Sequence, residues 1–180
     1  IFIETVGVGQ SETAVHSMTD FFFFFMLAGA GDELQGIKRG IMEMADLLAI
    51  NKADGNNLGK AEMAKNQYKN ALHLFPKKES GWEPKVVTCS SLNKKGIAEI
   101  WKQVELYKKL TAENGYFQKK RNEQSTFWMR ETIDEQMKRS FYHHPEIKKK
   151  LKEFENKVLN SEMSSFMAAG KLLEIYKDLG

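Results

Sequence analysis

Cysteine and proline are scarce in this sequence, and long apolar runs are missing. The 180 residues include one cysteine, Cys89, and three prolines. A single cysteine excludes a disulfide framework and a cysteine-based zinc site, and it suits a reducing compartment, so we expect a cytoplasmic protein. The longest apolar run, residues 21–30, is about half of the roughly 20 residues that a membrane-spanning helix needs. We therefore expect no membrane partner.

Basic and acidic residues are nearly balanced in number, but they are unevenly distributed along the chain. The net charge is +3, yet residues 1–60 carry four basic and eight acidic residues, which leaves residues 61–180 with a net charge of +7. The lysines of this second part alternate with glutamates at helical spacing, as in residues 148–153, which is typical of a solvated helix face. No arginine-rich arm or nucleic-acid motif is present, so we expect no nucleic-acid partner.

Four short apolar runs predict β-strands, at residues 1–6, 21–27, 46–50 and 85–89. They are nearly continuous in apolar character, as expected for parallel strands that are buried on both faces. Helical patterns separate them, and Asn56 and Asn57 are plausible caps for one of these helices. The first 112 residues are therefore predicted to be an α/β unit with a parallel sheet of about four strands and crossover helices.

Residues 113–180 show only helical periodicity and are predicted to form an all-helical arm. Two of its helices carry apolar stripes. The stripes consist of Ile147, Leu151, Phe154 and Val158, followed by Met163, Phe166, Leu173 and Tyr176. Such stripes pack either against the same chain or against a second copy of the protein.

The sharpest local signal is the segment Asn51-Lys52-Ala53-Asp54, which directly follows a predicted strand. Loops at the carboxyl ends of parallel strands are where ligands bind. The Asp54 carboxylate can accept hydrogen bonds from the N1–H and 2-amino groups of guanine, the Lys52 stem can cover the base, and Asn51 can tie neighbouring loops together. The alternative is an ordinary polar turn.

A second polar loop follows the next predicted strand and contains Ser90, Ser91 and Leu92. A backbone N–H in this loop could reach the guanine carbonyl. Cys89, at the end of the strand, is interpreted as a small buried residue rather than as a reactive thiol.

The segment from Glu4 to Glu12 follows the first predicted strand and is rich in glycine. An acidic residue at a strand end can hold magnesium, and a glycine three residues later lets a backbone N–H approach a γ-phosphate. The alternative is a turn whose glycines only satisfy the backbone dihedral angles.

Together with residues 29–40 and Ala45-Asp46, these segments resemble the MeaB/ArgK-type P-loop GTPases. Members of that family are G-protein chaperones of adenosylcobalamin-dependent methylmalonyl-CoA mutase, and they are also named LAO/AO (lysine-arginine-ornithine) transport-system ATPases or kinases. The resemblance is dense over residues 1–110, and the Gly29–Gly40 block, GAGDELQGIKRG, is its most specific part.

The resemblance implies a role for each matching residue. Glu4 corresponds to the acidic residue of a magnesium site, Gly7 to the γ-phosphate-sensing glycine, and Gln10 to a candidate for positioning the catalytic water. Asp32 and Lys38 fall in the additional switch that communicates with the mutase. Guanine-binding positions are matched by Asn51, Lys52, Asp54, Ser90, Ser91 and Leu92.

One family motif has no counterpart in this sequence, because the phosphate-loop pattern G-x-x-x-x-G-K-[S/T] does not occur in it. In the family this loop lies upstream of the strand that corresponds to residues 1–6. The resemblance therefore implies a carboxyl-terminal portion, with residues 1–112 as part of a GTPase domain and residues 113–180 as a dimerisation arm.

The implied function is that of a GTP-hydrolysing chaperone that uses GTP, GDP and magnesium to gate adenosylcobalamin loading of methylmalonyl-CoA mutase. The implied assembly is a homodimer formed through the carboxyl-terminal helices. Two alternatives stay open. One is an ATPase or kinase of a lysine-arginine-ornithine transport system, and the other is a non-catalytic assembly module.

The absence of a phosphate loop predicts that these 180 residues bind GTP weakly. Loop N–H groups and the loop lysine hold most of the β- and γ-phosphate charge in such proteins. Base contacts alone should contribute no more than about −5 to −6 kcal/mol, so isothermal titration with GTP and magnesium should give a dissociation constant no tighter than roughly 100 μM. A submicromolar constant would contradict this expectation.

Overall fold

The computed structural model describes residues 1–5, 11–27 and 39–179. Two compact units are present, Ile1–Ser125 and Thr126–Gly180. The first contains the sheet, and the second is helical. The predicted assignment of residues 113–180 as a dimerisation arm stays a prediction.

The sheet of the first unit has three parallel strands, β1 (Phe23–Leu27), β2 (Leu47–Asn51) and β3 (Lys85–Thr88), in the order β1-β2-β3. The central strand β2 places Ala49 opposite Phe25 of β1 and opposite Val87 of β3. Since all three strands run the same way, their carboxyl ends meet at one edge of the sheet.

Helices occupy most of the remaining described chain. In chain order they are α1 (Ser11–His16), α2 (Arg39–Met44), α3 (Leu58–Leu72), α4 (Ile97–Glu113), α5 (Tyr116–His143), α6 (Pro145–Leu159) and α7 (Ser165–Asp178). A short 3₁₀ turn, Gly55–Asn57, precedes α3. A parallel α/β sheet followed by helices confirms the predicted fold class. In the described ranges no helix is both long and apolar enough to cross a bilayer.

Two expectations about the strands are wrong. Residues 1–5 do not form a strand, and Ile1, Phe2 and Ile3 are exposed. A strand needs a hydrogen-bonded neighbour, and within the described residues this apolar run has none. In β1, the face that carries Phe23 and Phe25 is also exposed, so this strand is not buried on both faces.

The core of the first unit is centred on β2, whose side chains from Leu47 to Ile50 are all fully buried. Phe22, Met26 and Met42 pack with β2 from the side of β1 and α2, and Ala61 and Tyr68 come from α3. A continuous apolar strand is favoured here because both of its faces are covered.

Asp46 anchors the amino end of β2 through an unusually complete set of contacts. Its Oδ2 accepts the Phe22 N–H at 2.9 Å, its Oδ1 accepts Lys78 Nζ at 2.8 Å, and its carbonyl accepts Trp82 Nε1–H at 2.9 Å. Lys78 Nζ also donates to the carbonyls of Met44 and Ala45. The buried carboxylate is therefore fully hydrogen-bonded, as a buried charge must be.

The start of α5 is tied to the segment that leads into β1. Arg121 donates from Nε and Nη2 to the two carboxylate oxygens of Asp20, at 2.8 and 2.7 Å, and this bond lowers the pKa of Asp20. The buried Lys120 donates to the Asp20 carbonyl at 3.0 Å, and burial lowers the pKa of its amine. Gln124 donates to the carbonyl of Thr19. These bonds connect residues that lie about 100 positions apart in sequence.

In the second unit, α6 and α7 pack against each other. Phe154, Ala168 and Leu172 form its buried cluster, and Leu151 and Val158 lie against that cluster. Leu151, Phe154 and Val158 of the predicted α6 stripe therefore pack with α7 of the same chain, and Ile147 is fully buried. Phe166 and Leu173 of the second predicted stripe stay exposed.

The Asp46 contacts lead to a stability prediction. Asp46→Ala removes the charge partner of Lys78 and the acceptor of the Phe22 N–H, and breaking a buried ion pair in this way costs about 3–5 kcal/mol. Urea unfolding followed by circular dichroism should show this loss.

Glu83→Ala is the matched control, because the Glu83 side chain is 78% exposed and surface substitutions change stability by about 0.5 kcal/mol or less. Equal stability of the Asp46→Ala and Glu83→Ala variants would show that the pair does not anchor β2.

Candidate nucleotide-binding site

Two loops meet at the carboxyl edge of the sheet. One begins at Asn51, the last residue of β2, and the other begins at Cys89, directly after β3. The Cys89 N–H donates to the carbonyl of Ile50 at 2.8 Å, and the Ala53 N–H donates to the carbonyl of Cys89 at 2.9 Å. The sheet ladder therefore continues for one step into the loops and fixes their separation.

The Asn51 side chain joins the two loops. Its Oδ1 accepts the Ser91 N–H at 3.0 Å and the Ser91 hydroxyl at 3.1 Å, and Cys89 Sγ lies 3.7 Å away. The Ser91 N–H, a candidate for the guanine carbonyl, is thus engaged by Asn51. In the part of the chain that the structure describes, the neighbouring Leu92 N–H makes no hydrogen bond, so it is an available donor.

Asp54 is held from the opposite loop and does not cap its own turn. It stands before the 3₁₀ turn in an extended conformation with no side-chain capping bond. Its Oδ2 accepts the hydroxyl of the fully buried Ser90. Asp54 Oδ1 accepts no hydrogen bond from any described residue. One carboxylate oxygen is therefore fixed by the protein, and the other is left to accept from a ligand.

Lys52 has a backbone conformation that is rare for its residue type, with φ of 57°. Its carbonyl accepts the Asn57 side-chain amide at 2.8 Å, and its own side chain is exposed. Sequence reasoning considered Asn57 only as a helix cap. Its place five residues after Lys52 was the available signal for a contact within the loop.

Gly96 shapes the second loop, and sequence reasoning missed it. Ser90 and Lys95 exchange backbone hydrogen bonds at 3.0 and 3.1 Å, which closes the loop. Gly96 follows with φ of 76°, and a Cβ there would lie 2.6 Å from the Thr88 carbonyl oxygen. Both the backbone angle and the space require glycine. A glycine directly before the helical pattern of α4 was the available signal.

The strand ends beneath the loops are held by polar contacts as well. Glu62 of α3 accepts the Thr88 hydroxyl at 2.9 Å, and this bond, together with Lys65, lowers the pKa of Glu62. Cys89 is buried, and desolvation raises the pKa of its thiol, which agrees with a packing residue rather than a nucleophile.

The structure thus brings Asn51, Asp54, Ser90 and Ser91 into one hydrogen-bonded group, with Lys52 beside it. The Leu92 side chain is 83% exposed and outside this group. Glu4 is exposed. The remaining predicted site residues, Gly7, Gln10, Asp32 and Lys38, lie outside the described residues.

Comparison with known proteins identifies the family. The family described as methylmalonyl Co-A mutase-associated GTPase MeaB matches residues 1–146. The chain belongs to the MeaB family.

Individual relatives agree with this assignment. Within the MeaB family, the chain is 46% identical to GTPase ArgK of Escherichia coli over 137 residues, which are 76% of the chain and 41% of that protein. It is 41% identical to the mitochondrial methylmalonic aciduria type A homolog of Mus musculus over 177 residues, which are 98% of the chain and 43% of that protein. The chain therefore spans about half the length of these relatives or less.

A solved structure shows the same fold. The crystal structure of a LAO/AO transport system kinase is similar with a TM-score of 0.76 and 37% sequence identity, over 97% of this chain and 56% of that one. The match covers both the sheet and the helices that follow it, so the fold of this MeaB-family chain is shared over nearly its whole length.

Proposed function

We propose that the protein to which this chain belongs is a GTPase that binds GTP and GDP with magnesium and gates adenosylcobalamin loading of methylmalonyl-CoA mutase. One observation carries the nucleotide part. Asp54 is fixed through one carboxylate oxygen by Ser90 and leaves the other without a partner among the described residues. Membership of the MeaB family supports the mutase part.

The chemistry of Asp54 favours guanine. An ionised carboxylate is an acceptor only, and guanine presents two adjacent donors, N1–H and the 2-amino group. Adenine has an unprotonated N1 and no 2-amino group, so its edge would face the carboxylate with a lone pair. Leaving a buried acceptor unpaired costs about 1–3 kcal/mol.

Two further contacts complete the proposed base site. The Leu92 N–H is an available donor for the guanine carbonyl. The Ser91 N–H can serve in its place if its hydrogen bond to Asn51 Oδ1 breaks. The exposed Lys52 side chain can lay its aliphatic stem over the base.

Magnesium and phosphate roles rest on the family resemblance. An exposed carboxylate such as Glu4 fits magnesium, which commonly takes one or two carboxylates and completes its shell with waters and phosphate oxygens. We propose Gly7 as the γ-phosphate sensor, Gln10 as a water-positioning residue, and Asp32 and Lys38 as switch contacts to the mutase. Hydrolysis in such proteins relies on positioning and charge stabilisation.

The rival functions make different predictions. A kinase or ATPase of a lysine-arginine-ornithine transport system would prefer ATP, whereas the Asp54 geometry favours GTP. Competition between the two nucleotides decides between these functions. A non-catalytic assembly module would show no saturable preference for either nucleotide.

A cytoplasmic location stays an expectation from the single cysteine.

Substitution of Asp54 tests the base site in a full-length version that includes a phosphate loop. Asp54→Asn places an amide donor against the donors of guanine, whereas xanthine offers a carbonyl there. We expect GTP affinity to fall by about 1–3 kcal/mol and the preference to shift towards xanthosine triphosphate. Fluorescent nucleotide displacement measures both affinities.

Glu83→Gln makes the same chemical change at an exposed carboxylate away from the loops and should leave both affinities unchanged. If Asp54→Asn also leaves both unchanged, Asp54 does not read the base.

We also propose a homodimer through the carboxyl-terminal helices. Along α5, Met129, Ile133 and Met137 follow one another at four-residue spacing and are 56%, 48% and 67% exposed. They share one helix face, and exposed apolar patches of this kind are typical of interfaces. Phe166 of α7 is 89% exposed and supplies further apolar surface.

A charge on this face of α5 should weaken the dimer. Met137→Glu buries an unpaired carboxylate in the proposed interface, and we expect the dimer dissociation constant to rise at least tenfold, or about 1.4 kcal/mol. Sedimentation equilibrium gives the constant. Gln136→Glu adds the same charge to an exposed polar neighbour and is the control. A wild-type protein that remains monomeric at tens of micromolar would contradict the proposal.

A further inference from the structure

Asn57 occupies a capping position without acting as a cap. It is the residue before α3, yet its side chain makes no capping hydrogen bond. Asparagine is favoured at this position because its side-chain oxygen can accept from the first turn of the helix. Asn57 has a helical backbone, with φ of −93° and ψ of −8°, and ends the 3₁₀ turn. Its side chain is therefore not placed to accept that bond and is used elsewhere.

Both polar groups of Asn57 are directed at the loop that precedes it. The side-chain amide donates to the Lys52 carbonyl at 2.8 Å, and the backbone N–H donates to the Asp54 carbonyl at 2.9 Å. Asn57 therefore holds two of the three proposed guanine-reading residues of this loop.

The contact with Lys52 is made at a residue whose backbone conformation is unfavourable. Lys52 has φ of 57°, a left-handed conformation that costs a residue with a side chain roughly 1–2 kcal/mol. Such a conformation persists only where surrounding contacts fix it. The Ala53 N–H, bonded to the Cys89 carbonyl, fixes one side of the Lys52–Ala53 peptide. The Asn57 amide, bonded to the Lys52 carbonyl, fixes the other.

We propose that Asn57 is a positioning residue for guanine recognition, which holds Lys52 over the base by fixing the Lys52 carbonyl. The proposal rests on the proposed function, because it assumes that Asp54 and Lys52 contact a guanine base. It assigns Asn57 no contact with the nucleotide itself.

The experiment separates positioning from helix capping. Asn57→Asp removes the amide donor but keeps a residue that is at least as good an N-cap. Asn57→Ala removes the donor without adding charge. Asn56→Asp is the matched control, because Asn56 is exposed and its side chain makes no hydrogen bond with a described residue. All four proteins are made as the 180-residue chain.

Titrations with GDP and ADP are followed by ¹H–¹⁵N NMR, with urea unfolding alongside. We expect GDP affinity to fall about fivefold in Asn57→Asp and Asn57→Ala relative to Asn56→Asp, as loss of one hydrogen bond predicts. The Asn57–Lys52 bond is also present without nucleotide, so we expect the free energy of unfolding to fall slightly in both Asn57 variants, which should stay folded in the titrations. Their ¹H–¹⁵N peaks should shift in the two loops and not throughout the sheet.

Each outcome decides a different point. If the wild type shows saturable GDP shifts in both loops and both Asn57 variants bind GDP within twofold of the control, the positioning role is overturned and the base site stands. Weaker binding accompanied by ¹H–¹⁵N shifts throughout the sheet, and not only in the two loops, would reflect a general loss of structure and would also overturn it. If the wild type shows no saturable GDP shifts, or no preference for GDP over ADP, the proposed base site fails and the inference fails with it.

Discussion

The burial of one carboxylate, Asp46, determines how the sheet of this protein is held. The four side chains that follow it, Leu47 to Ile50, are apolar and fully buried, so they make no polar contact that could fix the position of β2 along its neighbours. Asp46 supplies that constraint, because its contacts with Phe22, Lys78 and Trp82 tie the start of β2 to β1 and to the segment before β3. Asn51, five residues after Asp46, therefore lies at the carboxyl edge of the sheet.

The two loops of the proposed nucleotide site depend on this register. In a parallel sheet, a shift of β2 by one residue would turn Asn51 to the other face, and its Oδ1 could no longer reach Ser91. The Asn51–Ser91 and Asp54–Ser90 bonds join two loops that are about 40 residues apart in sequence. Polar groups that are paired across two strand ends are preorganised, so less conformational entropy is lost when a ligand binds.

Sequence reasoning succeeded where a pattern is determined locally and failed where it depends on neighbours. The strand β2 was predicted correctly because its apolar run lies within a few residues. The motif that ends at Asp54 is equally local, and its role stays a proposal. Residues 1–5 have the same apolar character, yet a strand also needs a pairing partner. The sequence predicted the apolar stripe of α6 but did not identify what it packs against. A second copy of the protein was possible, whereas in the structure the stripe packs with α7 of the same chain. Asn57 was predicted to be a helix cap because asparagine is frequent at that position. Residue type alone does not show which atom a side chain contacts, and here the contact is with the Lys52 carbonyl.

If the proposed base site binds guanine, its hydrogen bonds contribute differently to affinity and to selectivity. Asn51 already engages the Ser91 N–H, so a guanine carbonyl that takes this donor exchanges one hydrogen bond for another and gains little free energy. Asp54 Oδ1 differs, since no described residue satisfies it, and a base without matching donors would bury it unpaired. The loops can therefore reject the wrong base more strongly than they attract the right one. Tight binding must then come from the phosphates, whose charge is held by backbone N–H groups and cations.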